Sequence, residues 1–272
     1  MPMTVGPGRT AEQLAVELQA LGVRPDQDLL VHVSMRRIGP VDGGAVALLR
    51  ALRTAAGPRA TVVVPTQTTW NSLTSRAFRE ATAGFDQKQR DAFVAAMPGF
   101  DQASTPSSRM GAFAELVRTT PGAARSAHPQ SSFAAVGPRA RQAMATHDID
   151  CHLGERSPLG WLYREGAAVL LLGVGYAVCT AFHLAEYRLP DPLALREYRC
   201  YTLESGVRKE HAFTDLRLDD SDFEDLGDWI DSQPFVRHGS VGSATVCRML
   251  PLQHAVDAAL AWPPFRRLRE IP

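Results

Sequence analysis

Residues 167–187 read AAVLLLGVGYAVCTAFHLAEY, and no other stretch constrains the fold of this chain as much. Ala168 to Leu172 is a short apolar run rich in Val and Leu, closed by Gly173-Val174-Gly175, the pattern of a buried strand ended by glycines. From about Thr180 to Arg188 the residues read as a helix, with the Thr180 hydroxyl as its N-cap. Thr180, His183 and Glu186 are spaced three apart and share one helix face. In open α/β sheets, ligands bind outside the carboxyl ends of the strands. A hydroxyl, an imidazole and a carboxylate therefore meet where such folds place chemistry. The same His–Glu pair also fits a surface ion pair, and HxxE is too short to decide between the two.

The remainder of the chain supplies the context of such a sheet. Residues 10–22 form an amphipathic helix with Thr10 as N-cap, Gln13 three residues on and Gly22 at its end. Asp28 to Val33 is a strand, and a helix over about Ala45–Ala55 follows the loop Ser34-Met35-Arg36-Arg37-Ile38-Gly39. Strand, glycine-bearing loop and helix together offer backbone N–H groups to a phosphate, and two arginines add charge-assisted bonds. Neither GxxxxGK[ST] nor GxGxxG is present. Thr61 to Val64 is a second buried strand, and two strands separated by a helix imply a parallel βαβ unit.

The polar loop from Thr66 to Ser72, with Trp70 and Asn71, reads as a pocket wall. Residues 73–108 are irregular or weakly helical, and 66–108 as a whole is expected to be a lid or acceptor loop. Helices are expected over Met110–Arg118, Pro138–Thr146 and from Ser157-Pro158, with a short strand near Ser131–Gly137. Beyond residue 190, Glu197–Leu203 and Lys209–Leu216 read as antiparallel strands around Ser205-Gly206. They belong to a small β-rich portion spanning 195–250. Thr245–Leu250 is another strand, and a last helix covers about 251–261. The expected architecture is one α/β domain over 1–272: a three-layer α/β/α sandwich with a largely parallel central sheet and a small antiparallel C-terminal β portion.

Composition excludes several classes. With 29 basic and 29 acidic residues the net charge is zero, so bulk charge suggests neither a nucleic-acid nor a membrane partner. No apolar segment follows Met1-Pro2-Met3, and the longest apolar run is too short to span a bilayer, so a cytoplasmic protein is expected. Cys151, Cys179, Cys200 and Cys247 have no CxxC spacing and read as reduced. Cys179, beside Thr180, is either a nucleophile or a small apolar filler. His128, before a proline, reads as a structural imidazole bonded to backbone or as a ligand. A metallohydrolase using His183, Glu186, His128 and His152 competes, although no HExxH spacing supports it.

The segments LLVHVSMRRIG (29–39), VVVPT (62–66), MGAFAELVRTTPGAARSAHPQSSFAAVG (110–137), GERSPLGWLY (154–163), LLLGVGYAVCTAFHLAEYR (170–188) and VGSATV (241–246) occur in this order. Together they resemble the aminoglycoside 3-N-acetyltransferase, or antibiotic N-acetyltransferase, family over nearly the whole chain. The resemblance implies an enzyme that moves an acetyl group from acetyl-CoA to an amine, in its best-known members the 3-amino group of a deoxystreptamine ring, giving antibiotic resistance. It implies His183 as catalytic base, Glu186 as its partner carboxylate and Thr180 as an active-site hydroxyl. It also implies a CoA site at His32, Ser34, Met35, Arg36, Arg37, Ile38 and Gly39. Thr66, Ser108, Arg109, Met110 and Phe113 complete the candidate CoA contacts. Where many relatives read VHSS, this chain has Val33 in place of a serine.

A polycationic acceptor calls for a carboxylate rim. Glu224 and Asp225, within the acidic stretch Asp215–Asp228, are the first candidates, followed by Glu115 and Asp191, beside Trp70 and Asn71. No metal is expected, and a homodimer is possible. Alternatives are an N-acetyltransferase acting on a biosynthetic amine, aminophosphonates included, or a module that binds CoA or antibiotic without turnover.

Overall fold

The computed structural model describes residues 8–190 and 193–263. In chain order the elements are α1 (Ala11–Leu21), β1 (Leu29–Val33), α2 (Met35–Ile38), α3 (Gly44–Ala56), β2 (Val62–Pro65), α4 (Arg76–Ala81), α5 (Gln87–Ala96), α6 (Gly111–Thr119), β3 (Ala124–Arg125), β4 (Phe133–Val136), α7 (Ala140–Met144), α8 (Pro158–Arg164), β5 (Ala168–Leu172), α9 (Phe182–Glu186), β6 (Leu195–Glu204), β7 (Val207–Leu216), α10 (Phe223–Asp231), β8 (Arg237–Val241), β9 (Ala244–Pro251) and α11 (Leu252–Ala261).

Seven strands form the central sheet in the order β3-β4-β2-β1-β5-β9-β8. The three middle strands, β2, β1 and β5, pair in parallel. On the flanks β4 runs against β2, and β9 against β5; β3 and β8 reverse direction again. Five of the seven strands thus point the same way. All five residues of β5 are fully buried, and their alternation assigns each to a layer. Ala168, Leu170 and Leu172 face the core built with α1, α3 and α6. Val169 and Leu171 face the core built with α8, α9, α10 and α11. Each such leucine contributes about 1.5–3 kcal/mol by leaving water.

Local chemistry sets the element ends. In α1 the Thr10 hydroxyl accepts from the Gln13 amide while the Gln13 side chain accepts from the Thr10 amide, so both free N–H groups are satisfied. Gly173 ends β5 with φ 65°, and a Cβ there would lie 2.9 Å from Arg37 Cβ, so glycine suits both its conformation and its space. Ser205 and Gly206, both with positive φ, make the tight turn between β6 and β7.

Some expectations need correction. The loop after β1 contains α2, capped by Ser34 Oγ, which accepts from the Arg37 amide at 3.4 Å. Residues 73–108 do follow the weakly helical reading, with two short helices, α4 and α5, between irregular stretches. Strands β3 and β8 are additional to the expected set. The helix expected from Thr180 to Arg188 is confined to Phe182–Glu186, and its N-cap is Ala181, without a side-chain cap.

The β6–β7 ribbon stands apart from the sheet and packs on the 66–108 segment. Leu73 and Phe100 amides donate to the Arg199 and Tyr201 carbonyls, and the Arg208 guanidinium donates to the Met97 carbonyl. Phe78, Met97 and Tyr201 form a small core between them. Among the described residues no helix is long and apolar enough to cross a membrane.

Candidate active site

The carboxyl ends of β1, β2 and β5 open into a cleft of about 360 Å³. One side is apolar: Val31, Val33, Val64, Pro65, Met110 and Phe113 line it, and Gln67 and Arg109 also border the cleft. The other side carries Thr180, His183, Asp220 and Phe223. His183 and Glu186 lie one turn apart on α9, and Nδ1 of the imidazole sits 2.5 Å from Oε2 of the carboxylate. The Glu186 side chain is fully buried, whereas His183 keeps a small exposed edge. Oε1 of Glu186 accepts from the Asp219 amide at 3.0 Å. The Phe223 ring packs against the imidazole, with centroids 4.7 Å apart. A carboxylate only accepts, so Nδ1 donates, and a neutral ring has its lone pair on Nε2.

Thr180 does not cap α9. Its hydroxyl lies 3.3 Å from Nε2 of His32, which reaches in from β1. Burial pushes the His32 imidazole down to about 4, so it stands as a neutral ring. Cys179 also lines the cleft, but burial pushes its thiol up to about 12, which removes it as a nucleophile at neutral pH.

The remaining candidates divide sharply. Arg109, Met110 and Phe113 line the cleft with His32. Arg37 lines an adjoining hollow of about 450 Å³, with Glu224, Ser243, Thr245 and Arg248, that shares Val174 with the cleft. There the Arg37 guanidinium donates to the Gly173 carbonyl at 3.0 Å, and Glu224 accepts from the Ala177 amide at 2.9 Å. Ser34, Met35, Arg36, Ile38 and Gly39 line neither space. Ser34 caps α2, Ile38 is fully buried core, and Gly39 ends α2 against Ser243.

Thr66 and Ser108 are buried in loop-to-loop bonds, Thr66 with Ser132 and Ser108 with the Thr69 amide. The Asn71 amide donates to the carbonyls of Pro129 and Tyr201, fastening the loop to β6. Trp70 is 58% exposed and lines neither space. Glu115 is occupied by Arg118 and the Ser107 amide. Although burial works against it, those bonds hold its carboxyl down to about 2. Asp225 is exposed on α10 and lines neither space, and Asp191 lies outside the described residues.

Gln67, in the loop read as a pocket wall, does line the cleft, whereas Asp220 and Val174 are cleft residues that pattern reading did not single out. The acidic stretch signalled Asp220, but nothing in its spacing singled it out from its neighbours. The metal-ligand grouping is not assembled: His183 and Glu186 are on α9, while His128 and His152 lie together with His147. His128 is a structural imidazole, with Nε2 on the Ile149 carbonyl and Nδ1 accepting from the Gln130 and Ser131 amides. Among the described residues no group of three His, Cys, Asp or Glu side chains could hold a metal ion.

Comparison with known proteins gives a consistent result. Residues 30–263 match the family model for aminoglycoside 3-N-acetyltransferase. An aminoglycoside N(3′)-acetyltransferase-like protein of Bacillus subtilis, YokD, is 34% identical over 93% of this chain and 92% of its own. Aminoglycoside N(3)-acetyltransferase VII of Streptomyces paromomycinus is 32% identical over 93% and 91%. The YokD crystal structure superposes with a TM-score of 0.89, covering 98% of both chains at 32% identity. A sisomicin-bound enzyme, AAC-VIa, superposes with a TM-score of 0.81 over 94% of this chain and 97% of its own, at 28% identity.

Proposed function

The chain belongs to the aminoglycoside 3-N-acetyltransferase family, and from that membership we propose that it transfers the acetyl group of acetyl-CoA to an aminoglycoside, at the 3-amino group of the deoxystreptamine ring, and so confers resistance. The observation that carries the assignment of roles is the His183 imidazole at the cleft, bonded through Nδ1 to the buried Glu186 carboxylate.

An ammonium group has no lone pair, so its nitrogen must lose a proton before it attacks. His183 takes that proton at Nε2, and Glu186 fixes the ring and balances the imidazolium, as the carboxylate of a triad does. Acetyl-CoA supplies the acyl group as an activated thioester. The new bond is amine nitrogen to carbonyl carbon, and the carbon–sulfur bond breaks. The nitrogen gives up its second proton as the amide forms. Of the two protons, one goes to the departing sulfur, which leaves as the thiol of CoA, and the other to solvent. The apolar wall of Val31, Val33, Val64, Met110 and Phe113 suits a pantetheine arm, with Gln67 and Arg109 available to its polar groups. Thr180 offers a hydroxyl to the reacting groups, and the neutral His32 steadies it without adding charge beside His183. Asp220 and Glu224 border the two adjoining spaces and suit a polycationic acceptor. Unpaired cysteines accord with a cytoplasmic enzyme.

The test is thiol release from acetyl-CoA with purified protein, using gentamicin-, neomycin- and apramycin-type aminoglycosides beside simple amino sugars, at low and high salt. Turnover with aminoglycosides is expected, with acceptor KM rising with salt. Turnover with simple amines alone would overturn the acceptor assignment, and none at all would overturn the reaction.

A further inference from the structure

The Glu186 carboxylate is gripped from two sides, by His183 and by the Asp219 amide. Asp219 lies just past β7, so whatever fixes the end of β7 also fixes that amide. The fixing group is Asp215, 5% exposed, the next-to-last residue of β7. Its Oδ2 accepts from the His152 amide at 2.7 Å, from His152 Nδ1 at 2.6 Å and from the Tyr187 hydroxyl at 2.6 Å. Its Oδ1 accepts from the Leu216 amide at 2.8 Å. Tyr187 is the residue after Glu186, at the end of α9. The contacts close a ring: Asp215 to Tyr187, along the chain to Glu186, across to the Asp219 amide, and back along the chain to Asp215.

We propose that Asp215, acting through Tyr187, is a positioning residue that sets the orientation of Glu186 and thereby of His183. Neither Asp215 nor Tyr187 lines the cleft, so neither touches the reacting groups. The inference rests on the reading of His183 and Glu186 as the base and its partner.

The charges around the ring support it. Burial alone would raise the Asp215 carboxyl, but the bonds from His152 and Tyr187 prevail and hold it below the usual carboxylate range. Burial, with the Asp215 charge, pushes the Tyr187 phenol up, so it stays a donor. His147, Cys151 and Tyr198 are the other titratable groups that feel this carboxylate. A buried acceptor saturated by donors from two other segments and from its own strand is far more rigid than the single bond from Tyr187 alone would make it.

The decisive variant is Tyr187→Phe, which deletes the tie to α9 and leaves the Asp215–His152 bonds that anchor the ribbon. Two readouts are taken on the full chain: steady-state kinetics with acetyl-CoA and sisomicin, and the low-field proton resonance of His183 Nδ1–H by NMR of the free protein. Tyr187→Phe is expected to lower kcat on the order of tenfold, the lower end of what outer partners of functional groups give, with KM for acetyl-CoA within about twofold. The resonance should broaden or move as the Glu186 bond loosens. Tyr163→Phe, which removes a comparable phenol bond to Asp257, is the control and should change neither. Asp215→Asn should lower kcat further and also lower Tm. A Tyr187→Phe variant with wild-type kcat, or with an unchanged His183 resonance, would overturn the proposal. Because that resonance needs no substrate, a wild type that acetylates nothing would defeat the acetyl-transfer reading alone.

Discussion

An imidazole bonded through Nδ1 to a carboxylate that water cannot reach has one nitrogen left with which to exchange protons. That is the state of His183. His183→Ala should therefore lower kcat by about 10²–10⁴-fold, the usual contribution of a positioned base, while acetyl-CoA still binds; calorimetric titration and thiol release measure the two separately. Glu186→Gln should impair kcat as well, since an amide can fix the ring but cannot balance its charge. Near-normal turnover in either variant would remove that residue from the mechanism. This pair was legible because two short-range signals coincided, a buried strand closed by glycines and a three-residue spacing on the helix beyond it. Thr180 was legible as a hydroxyl beside the cleft but not as the partner of His32, since that contact spans 148 positions of sequence. Glu115 and Asn71 misled because composition marks a polar residue near a loop without saying whether a neighbour has already claimed its hydrogen bonds.

At the scale of elements, periodicity and end signals worked best where both agreed. Helix α1 shows apolar spacing, a capping box and a terminal glycine; the structure follows both ends residue for residue and buries Leu14, Leu18 and Leu21, while Val16 is 65% exposed. Thr10→Ala should cost about 1 kcal/mol, the typical value of a lost N-cap, read as a lower midpoint in urea with unchanged kcat. A shift larger than about 2 kcal/mol would mean that Thr10 does more than cap. Strand β8 was not legible: Arg237-His238-Gly239-Ser240 is polar and lies at the sheet edge, where one side faces solvent. Two-residue β3 and four-residue α2 are too short for any periodic signal. The reversed strands β4 and β9 were hidden because pattern reading gives strand position along the chain, whereas direction follows from how each connection crosses the sheet.

For the molecule as a whole, three buried imidazoles set the response to acid. Burial pushes His32 down to about 4 and His147 to about 3, and lowers His128 well below its ordinary 6.5. The unfolded chain protonates each near 6.5 while the folded protein does not. Below that pH the unfolded state binds more protons, so stability falls as pH falls from about 6.5 towards 4. Each imidazole contributes at most about 1.4 kcal/mol per pH unit in that window. Urea midpoints at pH 7.5, 6 and 5 should drop progressively, and a flat profile would show that these rings are already accessible to water. The ribbon of β6 and β7 carries a different consequence. One end is stitched to the 66–108 segment and the other is latched beside α9. An engineer who swaps in a relative's segment would be moving half of a matched pair, and the graft should take only when the ribbon travels with it.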